Sequence, residues 1–325
     1  MELYKRIVKP AALSAWKGLL LFKAAFSEWR NDKALRLGAS LAYYTVFSMP
    51  PLLVIAVAVG GLFYGQEAVR DRVVEQFQGL LGKHGAEAIK TMITQASSLK
   101  SGIIAAAAGI GALMIGATAV FVELQDALNT IWGVKPEPKS NVTYLIKIRA
   151  LSLLVVVGTG FLLLASLVLS AVLAAFGNHL RNLWSGPFAL NYILQVADFV
   201  ISIGVITLLF AMIFKVLPDA HIAWKDVWLG AAVTAILFSA GKLLIGLYLG
   251  KSPIESAFGG AGSLAILLVW IYYSSQTFFF GAEFTQVYAN TYGSKIEPEQ
   301  YARRITGPER AEQGLSTTKG KKTRS

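Results

Sequence analysis

Four stretches of this chain are long enough to cross a bilayer without carrying one charged side chain: between Arg36 and Glu67, from Ser101 to Val122, from Ala150 to Asn178 and from Ser256 to Ala282. Bilayer hydrocarbon is roughly 30 Å thick and a helix rises about 1.5 Å per residue, so about 20 apolar residues suffice. Two more stretches, near residues 192–214 and 227–249, are equally apolar except for Asp198 and Lys242. Hydrocarbon offers no partner to a free peptide N–H or C=O, and the alternating pattern of a barrel strand is missing, so the spans must be helices. The fold class predicted is therefore all-α: a polytopic membrane protein with six transmembrane helices, at about 38–64, 101–122, 150–177, 192–214, 227–249 and 261–283. Composition agrees. Apolar residues make up 55% and charged residues 15%, against roughly a quarter charged in soluble domains, and mean hydropathy is +0.55. Disorder, a collagen-like chain and an ordinary cytosolic enzyme are excluded.

Orientation follows from Lys and Arg, which stay on the cytoplasmic side of short connections. The segment before the first span, the 2–3 and 4–5 connections and the C-terminal tail together hold 22 of them, and the opposite set holds 7. Both termini are thus expected inside. Residues 1–35 mix Leu13, Trp16, Leu20 and Trp29 with Lys9, Lys17, Lys23 and Arg30, the pattern of an interfacial amphipathic helix on the cytoplasmic leaflet. A cleaved signal peptide is the competing reading, and the lysines interrupting the apolar run speak against it. The transmembrane domain is placed at 36–290. Within it, the outer loop 66–100 is too long to be bare, and Val69, Val73, Phe77 and Leu80 recur at helical spacing, with Gly82 positioned to end one helix before a second around Ile89, Met92 and Ile93. A small helical extracytoplasmic cap is expected there. Residues 291–325 are polar and end in Lys319, Lys321, Lys322 and Arg324, which reads as a disordered basic cytoplasmic tail.

Chemistry has few places to sit. Pro50 and Pro51 lack amide hydrogens and interrupt the first span at its middle, so the helix should kink or unwind there. Either the break faces a cavity lined by Tyr43, Tyr44 and Ser48, or neighbouring helices satisfy it. Asp198 and Lys242 both fall in the outer half of the bundle by depth along their spans and could pair, as a structural bridge or as part of a polar path. Glu283 and Glu123 lie at the inner boundary, which makes Glu283 a poor partner for Lys242. Glu123, Asp126 and Asn129 follow at intervals of three on one helical face, with Gln125 beside them, and could bind a cation or salt-bridge Lys215 or Lys225. Ala108, Ala112 and Gly116 permit close approach by another helix, by core packing or by oligomerisation. Gly259, Gly260 and Gly262 suggest a tight entry to the last span.

No enzyme is expected. Cysteine is absent, His84, His179 and His221 are scattered over different connections, and no metalloprotease, phosphate-loop or nucleophile-elbow motif is present. No cofactor or metal is predicted. The excess of 30 Lys and Arg over 19 Asp and Glu needs an anionic counterpart, either nucleic acid or lipid headgroups.

Four segments carry a resemblance: G-A-S-L-A-Y-Y-T-V-F-S-M-P-P-L-L from Gly38, L-Q-D-A-L-N-T-I-W-G-V from Leu124, L-P-D-A-H-I-A-W-K-D-V-W-L-G-A from Leu217, and W-I-Y-Y-S-S-Q-T-F-F-F-G-A-E-F from Trp270. Together, in order and spacing over roughly Leu35 to Asn290, they resemble the YihY/virulence factor BrkB family of bacterial inner-membrane proteins. The resemblance implies six helices in the bacterial cytoplasmic membrane. It brings no established reaction: the family's former label, ribonuclease BN, names an activity now assigned to an unrelated zinc hydrolase. The positive charge then falls to topology and anionic lipid headgroups, and no nucleic-acid partner is expected. The function expected is transport, or translocation between leaflets, of a lipid or other amphipathic envelope component. A non-transporting scaffold or envelope assembly factor is the alternative, and a membrane-bound ribonuclease comes third.

Overall fold

The computed structural model describes residues 2–97, 103–137, 189–251 and 261–316. They form helices α1 (Glu2–Asn31), α2 (Ala34–Tyr64), α3 (Gln66–Ser97), α4 (Ile103–Trp132), α5 (Ala189–Val216), α6 (Trp224–Lys251), α7 (Gly262–Thr291) and α8 (Gly307–Glu312). Four short strands accompany them: β1 (Val134–Pro136), β2 (Ala220–His221), β3 (Glu297–Pro298) and β4 (Ala302–Arg304). Among the described residues, three helices hold segments long and apolar enough to cross a membrane: Phe199–Val216, Trp224–Tyr248 and Gly262–Thr291. These coincide with the last three spans read from the sequence. The first predicted span lies within α2, the second overlaps α4 from Ile103 on, and the third, 150–177, falls outside the described residues.

The chain divides into two compact units. One is formed by residues 33–127 and 238–279. Its core joins Ala42, Val46, Leu53 and Val57 of α2, Ile89 and Ile93 of α3, and Leu267 and Ile271 of α7. The chain reverses between α2 and α3 at Gly65, whose φ of 84° lies in the left-handed region and whose N–H reaches the Gly61 carbonyl at 3.0 Å. Glycine takes that conformation without a Cβ clash. Next to it, a side chain on Gly60 would press into Val69, so α3 is held close against the end of α2.

Two expectations change in this unit. α2 runs helical through Pro50 and Pro51 and shows no unwound segment. The prolines delete only the hydrogen bonds to the Val46 and Phe47 carbonyls, and the shared α2–α3–α7 core holds the flanking turns. Residues 66–97 form a single helix that continues through Gly82. A glycine in a helix interior costs only about 1 kcal/mol against alanine, less than the apolar contacts on either side return.

The other unit is formed by residues 1–32, 128–237 and 280–325. At its centre the first half of α6 meets the second half of α7 through a reciprocal contact. A side chain on Gly230 would overlap Thr285, and one on Gly281 would overlap Thr234. Each threonine turns its hydroxyl onto the glycine of its own helix: Thr234 Oγ1 donates to the Gly230 carbonyl at 2.7 Å and Thr285 Oγ1 to the Gly281 carbonyl at 2.8 Å. The hydroxyls are thereby satisfied within their own helices while the threonine side chains, hydroxyl oxygen foremost, fill the space over the glycine opposite. The tail beyond Thr291 is ordered as far as Ser316, contrary to the disorder read from its composition. β4 pairs antiparallel with β1 and β3 with β2, so backbone pairing with distant segments supplies what side-chain hydrophobicity lacks.

Overpacking this helix contact costs about 1–3 kcal/mol. Gly281→Val should lower the thermal unfolding midpoint in detergent accordingly. Gly204→Ala, in a helical position with open space around it, should raise the midpoint, because alanine gains about 0.5–1 kcal/mol over glycine in a helix interior.

Candidate functional site

The polar side chains that matter lie along α7. Ser275 is buried and returns its hydroxyl to the Ile271 carbonyl at 2.8 Å, and Thr277 does the same to Tyr273 at 3.2 Å. Such bonds neutralise a hydroxyl within its own helix. Gln276 behaves differently. It lies across the bare backbone of Gly38, where any Cβ would collide with its amide, and its Nε2 makes only a long 3.5 Å approach to the Leu35 carbonyl. Its Oε1 is buried with no hydrogen-bond partner among the described residues. Within the other unit, Glu283 is 0% exposed, between Gly281 and Thr285, which face α6. Two residues along a helix turn a side chain through roughly 200°, so Glu283 points away from α6.

The residues singled out on α2 do not gather. Ser48 is buried and donates to the Thr45 carbonyl at 3.0 Å, whereas Tyr43 (57%) and Tyr44 (38%) are exposed, Tyr43 stacking on the exposed Phe47 with ring centroids 4.7 Å apart. Tyr43 and Ser48, five apart, diverge by about 140° on a helix and do not line one surface, whereas Tyr44, four before Ser48, shares its side of the helix but is exposed. Pro50 is half-buried, and the Pro51 side chain lies outside the described residues. The acidic face on α4 is also dispersed. Glu123 is half-buried, Asp126 exposed and Asn129 buried. Asn129 instead forms a reciprocal pair with Asp219: its Nδ2 donates to Asp219 Oδ2, and its Oδ1 accepts from the Asp219 N–H, both at 2.8 Å. Lys215, expected to bridge to that face, donates to the Ile222 carbonyl at 2.5 Å. Lys242 is exposed, and the side chain of Asp198 lies outside the described residues, as do those of Ala108, Ala112, Gly116, Gly259 and Gly260.

A second constellation, absent from the sequence reading, closes the end of the unit that holds the chain termini. Asp32, fully buried, pairs with the Nη2 of buried Arg310, whose Nε donates to the Ser316 carbonyl at 2.9 Å. Arg303 grips Glu309 through both guanidinium nitrogens, at 2.8 and 2.5 Å. Glu309 also receives the Thr306 N–H at 3.0 Å and its hydroxyl at 2.9 Å, completing a capping box on α8. The Arg303 bonds, followed by those from Thr306, hold the Glu309 carboxyl far below the usual carboxylate range. Asp226, buried in the first turn of α6, accepts the Ser294 N–H at 2.9 Å. Nothing in sequence spacing announces these partners; Asn129 and Asp219, for instance, are 90 residues apart.

The chain is similar to known proteins over most of its length. The family model described as virulence factor BrkB matches residues 25–306. A UPF0761 membrane protein of Ralstonia nicotianae is 27% identical over 257 residues, covering 78% of this chain and 55% of that protein. One from Pseudomonas aeruginosa is 27% identical, covering 78% and 58%. One from Verminephrobacter eiseniae is 28% identical, covering 79% and 59%. The chain thus spans little more than half the length of these relatives. No solved structure matches it.

Removing one partner of a buried ion pair strands the other, at a cost of about 3–5 kcal/mol. Asp32→Asn should therefore release the C-terminal segment, read as faster trypsin cleavage after Arg303 and Arg304. Glu309, with its native pKa depressed, contributes stability that is complete above the ordinary value of 4.5 and drains away as pH falls below it. Protection factors of residues 302–312, the exchange rates divided into the intrinsic rates at each pH, should accordingly stay high at neutral pH and fall in acid below that value, and in Glu309→Gln they should be lower and no longer fall with acid.

Proposed function

The chain belongs to the virulence factor BrkB family, and from that premise we propose that it moves an amphipathic envelope component between the leaflets of the bacterial cytoplasmic membrane. The observation that carries this reading is the fully buried carboxyl of Glu283 on a helix long and apolar enough to span. The sequence places it at the inner boundary of that span, and a carboxyl taken out of water by the protein itself is expensive, so its usual setting is a polar path or a counter-charge rather than packing alone.

In this reading the six spans of residues 36–290 hold both termini in the cytoplasm, and the helical segment 66–97 stands at the outer side. Exposed Trp224 and Trp228 at the start of α6, with Tyr248 near its far end, suit the two aromatic belts of a membrane-crossing helix. The protein works without catalysis and without a cofactor, with lipids as its partners and oligomerisation left open. A non-transporting scaffold is the second reading, favoured by the interlocked glycine–threonine contact, which leaves no room between α6 and α7 over those turns.

Liposomes carrying a labelled lipid in one leaflet separate the two. Transport predicts exchange above protein-free vesicles, slowed about tenfold or more by Glu283→Gln, equivalent to about 1.4 kcal/mol on the barrier. Exposed Lys242 serves as the comparison, and Lys242→Ala should leave the rate unchanged. Exchange no faster than in empty vesicles for every lipid tested favours the scaffold.

A further inference from the structure

Over residues 17–31, α1 is fixed to the protein along one side and bare along the other. On the fixed side, Ala25 is buried, and Phe22 stacks on Phe280 and Phe284 of α7 with centroids 6.0 and 5.0 Å apart. At its end, Asp32 is locked to Arg310. The bare side carries Leu19 (62% exposed), Leu20 and Phe26 (50%). Lys23 and Arg30 are exposed as well, four and eleven residues beyond Leu19, which puts them on the same face as Leu19 and Phe26. Lys17 is exposed too, while Glu28, the one acidic residue between Lys17 and Asn31, is half-buried.

That combination fits neither water nor hydrocarbon alone. A face turned to water has no reason to hold Leu19 and Phe26 out, and one sunk in acyl chains would not carry Lys23 and Arg30 between them. The phenylalanine contacts fix the level of α1 against the second half of α7, which ends in Tyr288 and, just beyond it, Tyr292, whose rings lie 6.1 Å apart. Aromatic rings of this kind collect at the headgroup region. We propose that α1 lies on the cytoplasmic leaflet, its Leu19–Phe26 face buried at the acyl boundary, and that Lys23 and Arg30, aided by Lys17, bind the phosphates of anionic phospholipids. The alkyl stems run along the apolar surface while the charged ends reach the headgroups. The site concerns how the protein sits in its membrane and does not require that it transport anything.

The natural chain has no cysteine, so single thiols report position cleanly. Full-length Phe26→Cys is reconstituted in nanodiscs of phosphatidylcholine, with or without a third of phosphatidylglycerol, and its reaction with a water-soluble maleimide is timed. Glu312→Cys, an exposed position in α8, gives the aqueous reference rate. The proposal expects Phe26→Cys to react more slowly than the reference, and about tenfold more slowly in anionic than in neutral discs, a size set by two basic residues at the leaflet. Adding Lys23→Gln and Arg30→Gln should erase the difference between the two lipids. Reaction as fast as the reference in both lipids overturns the docking. Equal protection in both lipids, or a lipid difference that survives the double glutamine variant, overturns the anionic site. Unfolding midpoints of the cysteine-free chain in the same discs give an independent reading: phosphatidylglycerol should raise the midpoint of the parent chain and not that of the double variant, and an equal rise in both also overturns the site.

Discussion

The contact between α6 and α7 is where this protein depends on atoms rather than on hydrophobicity. Two membrane-length helices gain little from burying leucine against leucine when the solvent is itself hydrocarbon, so close backbone approach and dispersion must supply the association. Gly230 and Gly281 open the grooves, and Thr285 and Thr234 fill them. Each hydroxyl is returned to its own helix, so no unsatisfied polar group is left at the seam. With this seam formed, α7 offers its remaining faces to other partners: the core shared with α2 and α3 in one unit, and Phe22 of α1 in the other.

The polar groups follow a consistent rule. Serines and threonines along the spans spend their hydroxyls on local carbonyls, whereas the unit that carries both termini uses long-range pairs. Asn129 with Asp219, Asp226 with Ser294, and Asp32 with Arg310 join segments far apart in sequence. Each pair joins a residue in a helix to one in the irregular backbone next to a helix end, Asp219, Ser294 or Asp32, where amides and carbonyls are left without intrahelical partners. Glu283 differs from these groups in being a fully buried carboxyl on a helix long and apolar enough to span, which is why function is sought there.

The spans after residue 189 were legible, because length and hydropathy act locally along the chain. The order of the tail was not. Its composition is that of a solvated segment, yet β3 and β4 find edges in β2 and β1, and a single buried arginine anchors α8. At the double proline, α2 stays helical rather than unwinding: two missing amides are a local signal, and the packing around α2 holds the flanking turns. The spacing of Glu123, Asp126 and Asn129 promised a shared acidic face, but only burial reveals that Asn129 turns instead to Asp219.

What the sequence by itself determined was therefore the solvent: uncharged runs of bilayer length oblige these segments to be helices, since each helix satisfies its own amides in oil. Only the tertiary structure decided which polar residues face one another, because a pairing such as Asp32 with Arg310 depends on distances across the fold that no periodicity along the chain encodes.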